Sequence, residues 1–170
     1  MLATRNPRTG ESDHDMPVFD AEQVAAVAHA LRQAQPAWAA LPLADRLARL
    51  AQLADAMVAD ATALADAIAA DTGRRTESVM EVQGTVGTIR RWLDDAPGLL
   101  ADEAPYRSRV AHITVEPQRR AYGVAGIISP WNFPLILSMI DAVPALVAGC
   151  AVIVKPSITP RCVAANCARS

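Results

Sequence analysis

The sequence predicts an α/β chain: helices first, then a β-hairpin, then a strand–helix–strand unit that opens a parallel sheet. Three observations predict it. Apolar residues recur at helical spacing from about position 20 to 93. Between 110 and 116 the period drops to two. From Val124 on, two short apolar runs, 124–128 and 151–154, flank an apolar helical stretch. Strands without alternation are those buried on both faces, as in a parallel sheet covered by helices. Parallel neighbours need a crossover, expected to be right-handed.

The elements follow in order. Residues 1–19 are mostly polar and read as a mobile tail with no secretory signal. Asp20 reads as an N-cap with Gln23 completing a capping box before Val24, Val27 and Leu31. That helix is predicted to end near Pro36, with Trp38 and Leu41 continuing its apolar face. A second helix starts near Leu43 and carries Leu47, Leu50, Leu53 and Met57. A third, with Leu64 and Ile68, runs to Thr72, where Gly73 is a natural C′ residue. A fourth spans about 76–93 and stops before Pro97-Gly98. Arg74, Arg75, Arg90 and Arg91 read as a solvated face, because Glu77, Glu81, Asp94 and Asp95 lie among them. The period-two segment is predicted to turn at Pro117-Gln118 and return over 119–122 as an exposed hairpin. The last helix is predicted over about 134–146, ended by Ala148-Gly149.

Composition narrows the function classes. The 170 residues suffice for one domain, and the net charge of −2 with interspersed Lys and Arg gives no nucleic-acid footprint. The run 133–154 is long and apolar, but Pro134, Pro144, Asp141 and its β-branched end argue against a membrane span. Three cysteines, Cys150, Cys162 and Cys167, make no disulfide framework, so a reducing cytoplasm is the expected location. They have no neighbouring histidine and no zinc spacing, and no metal is expected.

Ligands of an open parallel sheet collect beyond the carboxyl ends of its strands. Here those ends carry Ser129-Pro130-Trp131-Asn132 and Lys155-Pro156-Ser157. A ligand there is expected to meet an amide donor, a helix N-terminus that favours anions, and a fixed positive charge. Spacing alone leaves other readings open. Asn132 reads first as an N-cap, Lys155 equally as a solvated lysine, and Trp131 as core. No GxGxxG follows the first strand.

The segment Pro130-Trp131-Asn132-Phe133-Pro134, continued without a gap through Val143-Pro144-Ala145-Leu146 to Lys155-Pro156-Ser157, resembles the core signature of aldehyde dehydrogenases. Thr72-Gly73, Glu81-Val82 and the hairpin near 109–122 are similar to that family's preceding region. The resemblance covers about 20–157, roughly the first third of a family-length chain. It implies a helical region with oligomerisation strands over 20–122 and the start of a Rossmann-like NAD(P)-binding domain over 123–170. It also implies that Asn132 is catalytic, donating its amide to the oxyanion of a thiohemiacetal. Ile128, Ser129, Pro130 and Trp131 match the turn along which NAD or NADP lies. Lys155 matches the ribose-binding lysine, with Ser157 beside it. The substrate implied is a small-molecule aldehyde, and the hairpin implies a homo- or hetero-oligomer.

The family's cysteine nucleophile, glutamate base and second glycine turn all follow the Lys-Pro-Ser segment, so the chain reads as an N-terminal fragment, inactive alone. Cys150 reads as a small buried residue. The tail departs from the family pattern: Lys155-Pro156-Ser157-Ile158-Thr159-Pro160 lacks the glutamate that holds the ribose hydroxyls, which leaves NAD against NADP open. After Arg161 the likeness ends, as a deletion or frameshift near 158–162 would produce. The other reading is a non-catalytic module that pairs with intact relatives through its hairpin and exposed helices.

Overall fold

In the computed structural model, which describes residues 2–5 and 11–157, the capping box at Asp20 is formed. Its Oδ1 accepts the Gln23 N–H at 2.8 Å, and Gln23 Oε1 accepts the Asp20 N–H at 3.0 Å. Helix α1 (Ala21–Ala39) runs past Pro36 instead of ending there. The proline sits in the last turn, where one missing N–H costs little, and the Ala40 N–H still reaches Pro36 O at 3.0 Å. Helices α2 (Leu43–Ala59) and α3 (Ala61–Thr72) match the periodic stretches, and Gly73 closes α3 in the left-handed region at φ 74°. Helix α4 (Arg75–Leu99) continues through Pro97. Its last turns carry Trp92, Leu93 and the fully buried Ala96 into the core, so packing outweighs the proline.

The core is helical. Leu50 and Met57 of α2, Ile68 of α3 and Ile89 of α4 meet Val143 and Val147 of α5 (Ile136–Ala148). Helix α5 thereby belongs both to this core and to the sheet unit. Strands β5 (Val124–Ile128) and β6 (Ala151–Lys155) pair in parallel, in register from Val124↔Ala151 to Ile128↔Lys155. Two half-buried anchors fix the end of α5 against α1. Trp38 Nε1 donates to Leu146 O at 2.9 Å, and Gln35 Nε2 donates to Gly149 O at 2.8 Å. Gly149 takes φ 97°, and a Cβ there would stand 3.4 Å from Ala39 Cα. The left-handed backbone favours glycine there, while the approach itself would leave a Cβ in ordinary contact.

Two strand expectations are corrected. The hairpin pairs β3 (Tyr106–Arg107) with β4 (Thr114–Val115), and the chain reverses over 109–112, with His112 at φ 74°. It does not reverse at Pro117-Gln118. Proline offers no N–H to a ladder, and Arg119 is tied back to Ala101 O and to Glu103 at 2.6 Å. A two-residue partner strand is too short to carry a readable period. The expected tail contains β1 (Leu2–Arg5) and β2 (Ser12–Met16), antiparallel from Leu2↔Met16 to Arg5↔Ser12. The sequence of these two segments is mostly polar and shows no apolar alternation, so no period marked them. Among the described residues, no helix is long and apolar enough to cross a membrane.

Candidate functional site at the strand ends

Ile128 and Lys155 form the last pair of the parallel ladder, and the Ser129 N–H continues it by donating to Lys155 O at 3.0 Å. The two segments expected to bind ligand therefore leave the sheet side by side. Ile128 and Trp131 stand 79% and 53% exposed at this edge. Trp131 is thus not a core residue. Lys155 is exposed, and among the described residues its Nζ reaches only the neighbouring Pro156 O at 3.5 Å. Ser157 is half-buried and engaged with a neighbour. Ser129 is buried, its hydroxyl committed to Pro134 O at 3.0 Å. That bond folds the turn back on itself, and with the Ser129 N–H given to Lys155 O both donors of Ser129 are engaged within the fold.

Asn132 is half-buried, and its carboxamide makes no hydrogen bond to another described residue. The N-cap reading of Asn132 fails. Leu135 occupies the N-cap of α5, with no side-chain cap of its own. The capping acceptor comes from another helix: Glu81 of α4 takes the N–H groups of Leu135 and Ile136 on Oε1, at 2.7 and 3.1 Å. Consequently the helix N-terminus expected to attract a phosphate already holds a carboxylate. Two of its N–H groups, those of Leu135 and Ile136, are thereby already engaged.

Two residues assigned to a solvated face belong to this site. Glu81 is only 3% exposed. Burial pushes its carboxyl above the usual range, while the Ile136 and Leu135 N–H bonds and the Arg74 charge pull it back. Arg74 is half-buried, donates from Nη2 to Asn132 O, and lies 4.8 Å from the Phe133 ring centroid. Arg75 and Arg90 do lie on the surface, paired with Asp66 and Asp55. The signal for Glu81 was present. It falls on the Ser78, Val82, Thr85, Ile89 row at helical spacing, which is the buried stripe of α4.

Asp71 lies near the C-terminal end of α3, where the helix dipole is negative. It is 6% exposed, and among the described residues its Oδ2 has no hydrogen-bond partner. Burial raises its carboxyl from 3.8 to about 7. The protonated form is therefore favoured in the fold. The contribution of Asp71 to stability is fully present below pH 3.8 and is lost as pH rises through about 7. Asp71→Asn is expected to stabilise the chain at pH 8 by on the order of 2 kcal/mol, with the difference vanishing near pH 4. Urea melts at the two pH values check it.

The amide of Asn132 and the ammonium of Lys155 are thus carried on the two segments that leave the ends of the parallel strands. Cys150, at the start of β6, is free and 4% exposed, away from this edge. Cys162, Cys167 and the position of the absent glutamate, Ile158, lie outside the described residues.

A family profile described as "Aldehyde dehydrogenase family" matches residues 1–169. The chain is 37% identical over 160 residues to a Mycolicibacterium smegmatis protein named for succinate-semialdehyde dehydrogenase activity with NADP(+), covering 93% of this chain and 31% of that one. It is 36% identical over 167 residues to N-succinylglutamate 5-semialdehyde dehydrogenase 1 of Caulobacter vibrioides, covering 95% and 34%. Among solved structures, aldehyde dehydrogenase PutA from Anabaena variabilis superposes with a TM-score of 0.86 at 38% identity, over 92% of this chain and 33% of that one. The NAD-dependent benzaldehyde dehydrogenase of Corynebacterium glutamicum gives 0.84 at 28% identity, over 91% and 34%. The chain thus spans about a third of the length of the relatives it matches.

Proposed function

The chain belongs to the aldehyde dehydrogenase family, and we propose that it supplies the oxyanion-donor and ribose-binding part of an NAD(P)-dependent site that oxidises an aldehyde to a carboxylate. The observation that carries this reading is Asn132, whose main chain is held by Arg74 while its carboxamide makes no hydrogen bond to another described residue. An amide donor on a held main chain and without a partner among the described residues is available for charge that develops only during reaction. Asn132 steadies the oxygen of the tetrahedral adduct. Lys155 and Ser157 hold the ribose, and the 128–131 turn forms the wall along which the cofactor extends. The bound cofactor supplies the hydride acceptor.

The nucleophile and the general base come from family sequence outside the described residues. Cys150 is shut in the fold, and the Glu81 carboxylate is spent on the cap of α5. On this reading the described residues do not turn over an aldehyde by themselves. Two relatives are named for semialdehydes of succinate and N-succinylglutamate, so aldehydes with a distal carboxylate are the first class to assay. A chimera in which residues 20–157 replace the matching part of the Caulobacter relative tests the reading. Formation of reduced cofactor from a semialdehyde supports it. A folded chimera that binds cofactor and never reduces it contradicts it.

A second reading has its own observation. Tyr106, Val110 and Ile113 of the hairpin are 56%, 61% and 48% exposed, and its strands are only two residues long. Such a ribbon suits pairing with another copy or an intact relative. Co-purification of the chain with a full-length relative supports that pairing, and its loss in Ile113→Lys would locate it at the hairpin.

A further inference from the structure

We infer that Arg74 and Glu81 act together as positioning residues for Asn132, a clamp built on one helix that holds a turn carried by another part of the chain. The peptide from Asn132 to Ile136 has little regular structure of its own to fix it. The helical bonds of α5 begin only with the Leu137 N–H to Phe133 O, at 3.1 Å. Both ends of the peptide are instead held by α4 and its N-cap. Arg74, the N-cap residue, takes the Asn132 carbonyl on its guanidinium and covers the Phe133 ring. Glu81, two turns along, takes the Leu135 and Ile136 N–H groups. One end is thus held through an acceptor and the other through donors, so the peptide can neither slide along α4 nor rotate about its own axis. The clamp is braced in turn. Ser78 Oγ donates to Arg74 O at 2.5 Å and Thr85 Oγ1 donates to Glu81 O at 2.8 Å.

A buried carboxylate is retained only where its partners offset its desolvation. An apolar residue at position 81 would suit the stripe formed by Val82, Val86 and Ile89 equally well, but it would offer no acceptor to α5. What the acid adds is a fixed location for the start of α5, and with it a fixed location for the amide three residues earlier. Reacting groups must stand within about 0.5 Å of their productive geometry. Such tolerance is not reached by a turn held at one point.

The inference rests on Asn132 being the oxyanion donor, but its test needs neither substrate nor cofactor. The side-chain NH₂ pair of Asn132 in the ¹⁵N-labelled 170-residue chain, identified by its loss in Asn132→Asp, reports where the amide stands. Arg74→Met and Glu81→Met are expected each to shift and broaden this pair. Arg74→Lys, which keeps a charged donor, and Glu81→Gln, which keeps an acceptor, are expected to restore it largely. An unmoved Asn132 pair in folded Arg74→Met overturns the inference, even if the Leu135 and Ile136 amides respond to Glu81→Met, because Glu81 would then only cap a helix. Should Glu81→Met fail to fold, the Arg74 pair of variants decides alone; failure of both Met variants to fold also overturns it, by making the residues general supports of the fold. An inactive chimera with a responsive Asn132 pair would remove the functional reading and leave the clamp standing, and an active chimera with an unresponsive pair would do the reverse.

Discussion

Asn132→Ala, introduced into the active chimera, is expected to lower kcat about 10²–10³-fold while leaving KM within a few-fold. The separation follows from geometry. The carboxamide makes no hydrogen bond to another described residue, so its removal leaves no protein group newly unpaired. The main chain at 132 stays tied to Arg74, and α5 stays capped by Glu81, so the turn keeps its place. Only the interaction made as charge grows on the aldehyde oxygen is lost, about 2.7–4 kcal/mol for a donor of this kind. A loss confined to KM would assign Asn132 to ground-state binding. Unchanged turnover would remove it from the reaction altogether.

Arg46→Ala is expected to destabilise the chain by about 3–5 kcal/mol in urea unfolding. Arg46 is buried in α2, yet it serves three carbonyls elsewhere. Its Nε donates to Val147 O at 3.1 Å, and Nη1 donates to Ala39 O at 3.2 Å and to Leu41 O. These carbonyls sit near the C-terminal ends of α5 and α1 and in the loop that follows α1, where no helical N–H can reach them all. Hydrogen bonds from a charged donor are worth about 1.5–3 kcal/mol each, and alanine leaves the buried Val147 carbonyl without its side-chain donor and the half-buried Ala39 and Leu41 carbonyls without theirs. Lysine in its place fills one acceptor and is expected to recover less than half of the loss, because a guanidinium fork spans sites that a single ammonium cannot. The substitution also loosens the junction between the first two helices and the sheet unit.

How much of this was legible in the sequence depends on the distance over which each feature is determined. The capping box at Asp20, the left-handed Gly73, the αL stop at Gly149 and the parallel pairing of 124–128 with 151–155 are set by residues close in sequence or by uninterrupted apolar runs. Each could be read directly. The prolines at 36 and 97 misled because helix ends are decided by what packs against them, here Trp38 on α5 and Ala96 in the core. The hairpin misled because a period of two identifies one strand but not its partner. At the site, the motif marked the strand ends and turn. It did not mark Arg74 and Glu81, which lie 58 and 54 residues from their respective partners Asn132 and Leu135. Charge counting placed both on a solvated face. The helical row through Ser78, Val82 and Thr85 would have placed Glu81 correctly, whereas nothing local distinguishes Arg74 from Arg75. The helix N-terminus shows the same limit, since its occupation by a carboxylate from another helix cannot be read from α5.

The central claim is that the ends of β5 and β6 form the ribose side of a dinucleotide site, and calorimetric titration of the folded 170-residue chain with NADP and with NAD tests it most directly. Weak but saturable binding of at least one nucleotide, lost in Lys155→Ala with the circular dichroism spectrum unchanged, is the predicted result. No heat of binding from a folded chain, or binding that Lys155→Ala leaves intact, would contradict it.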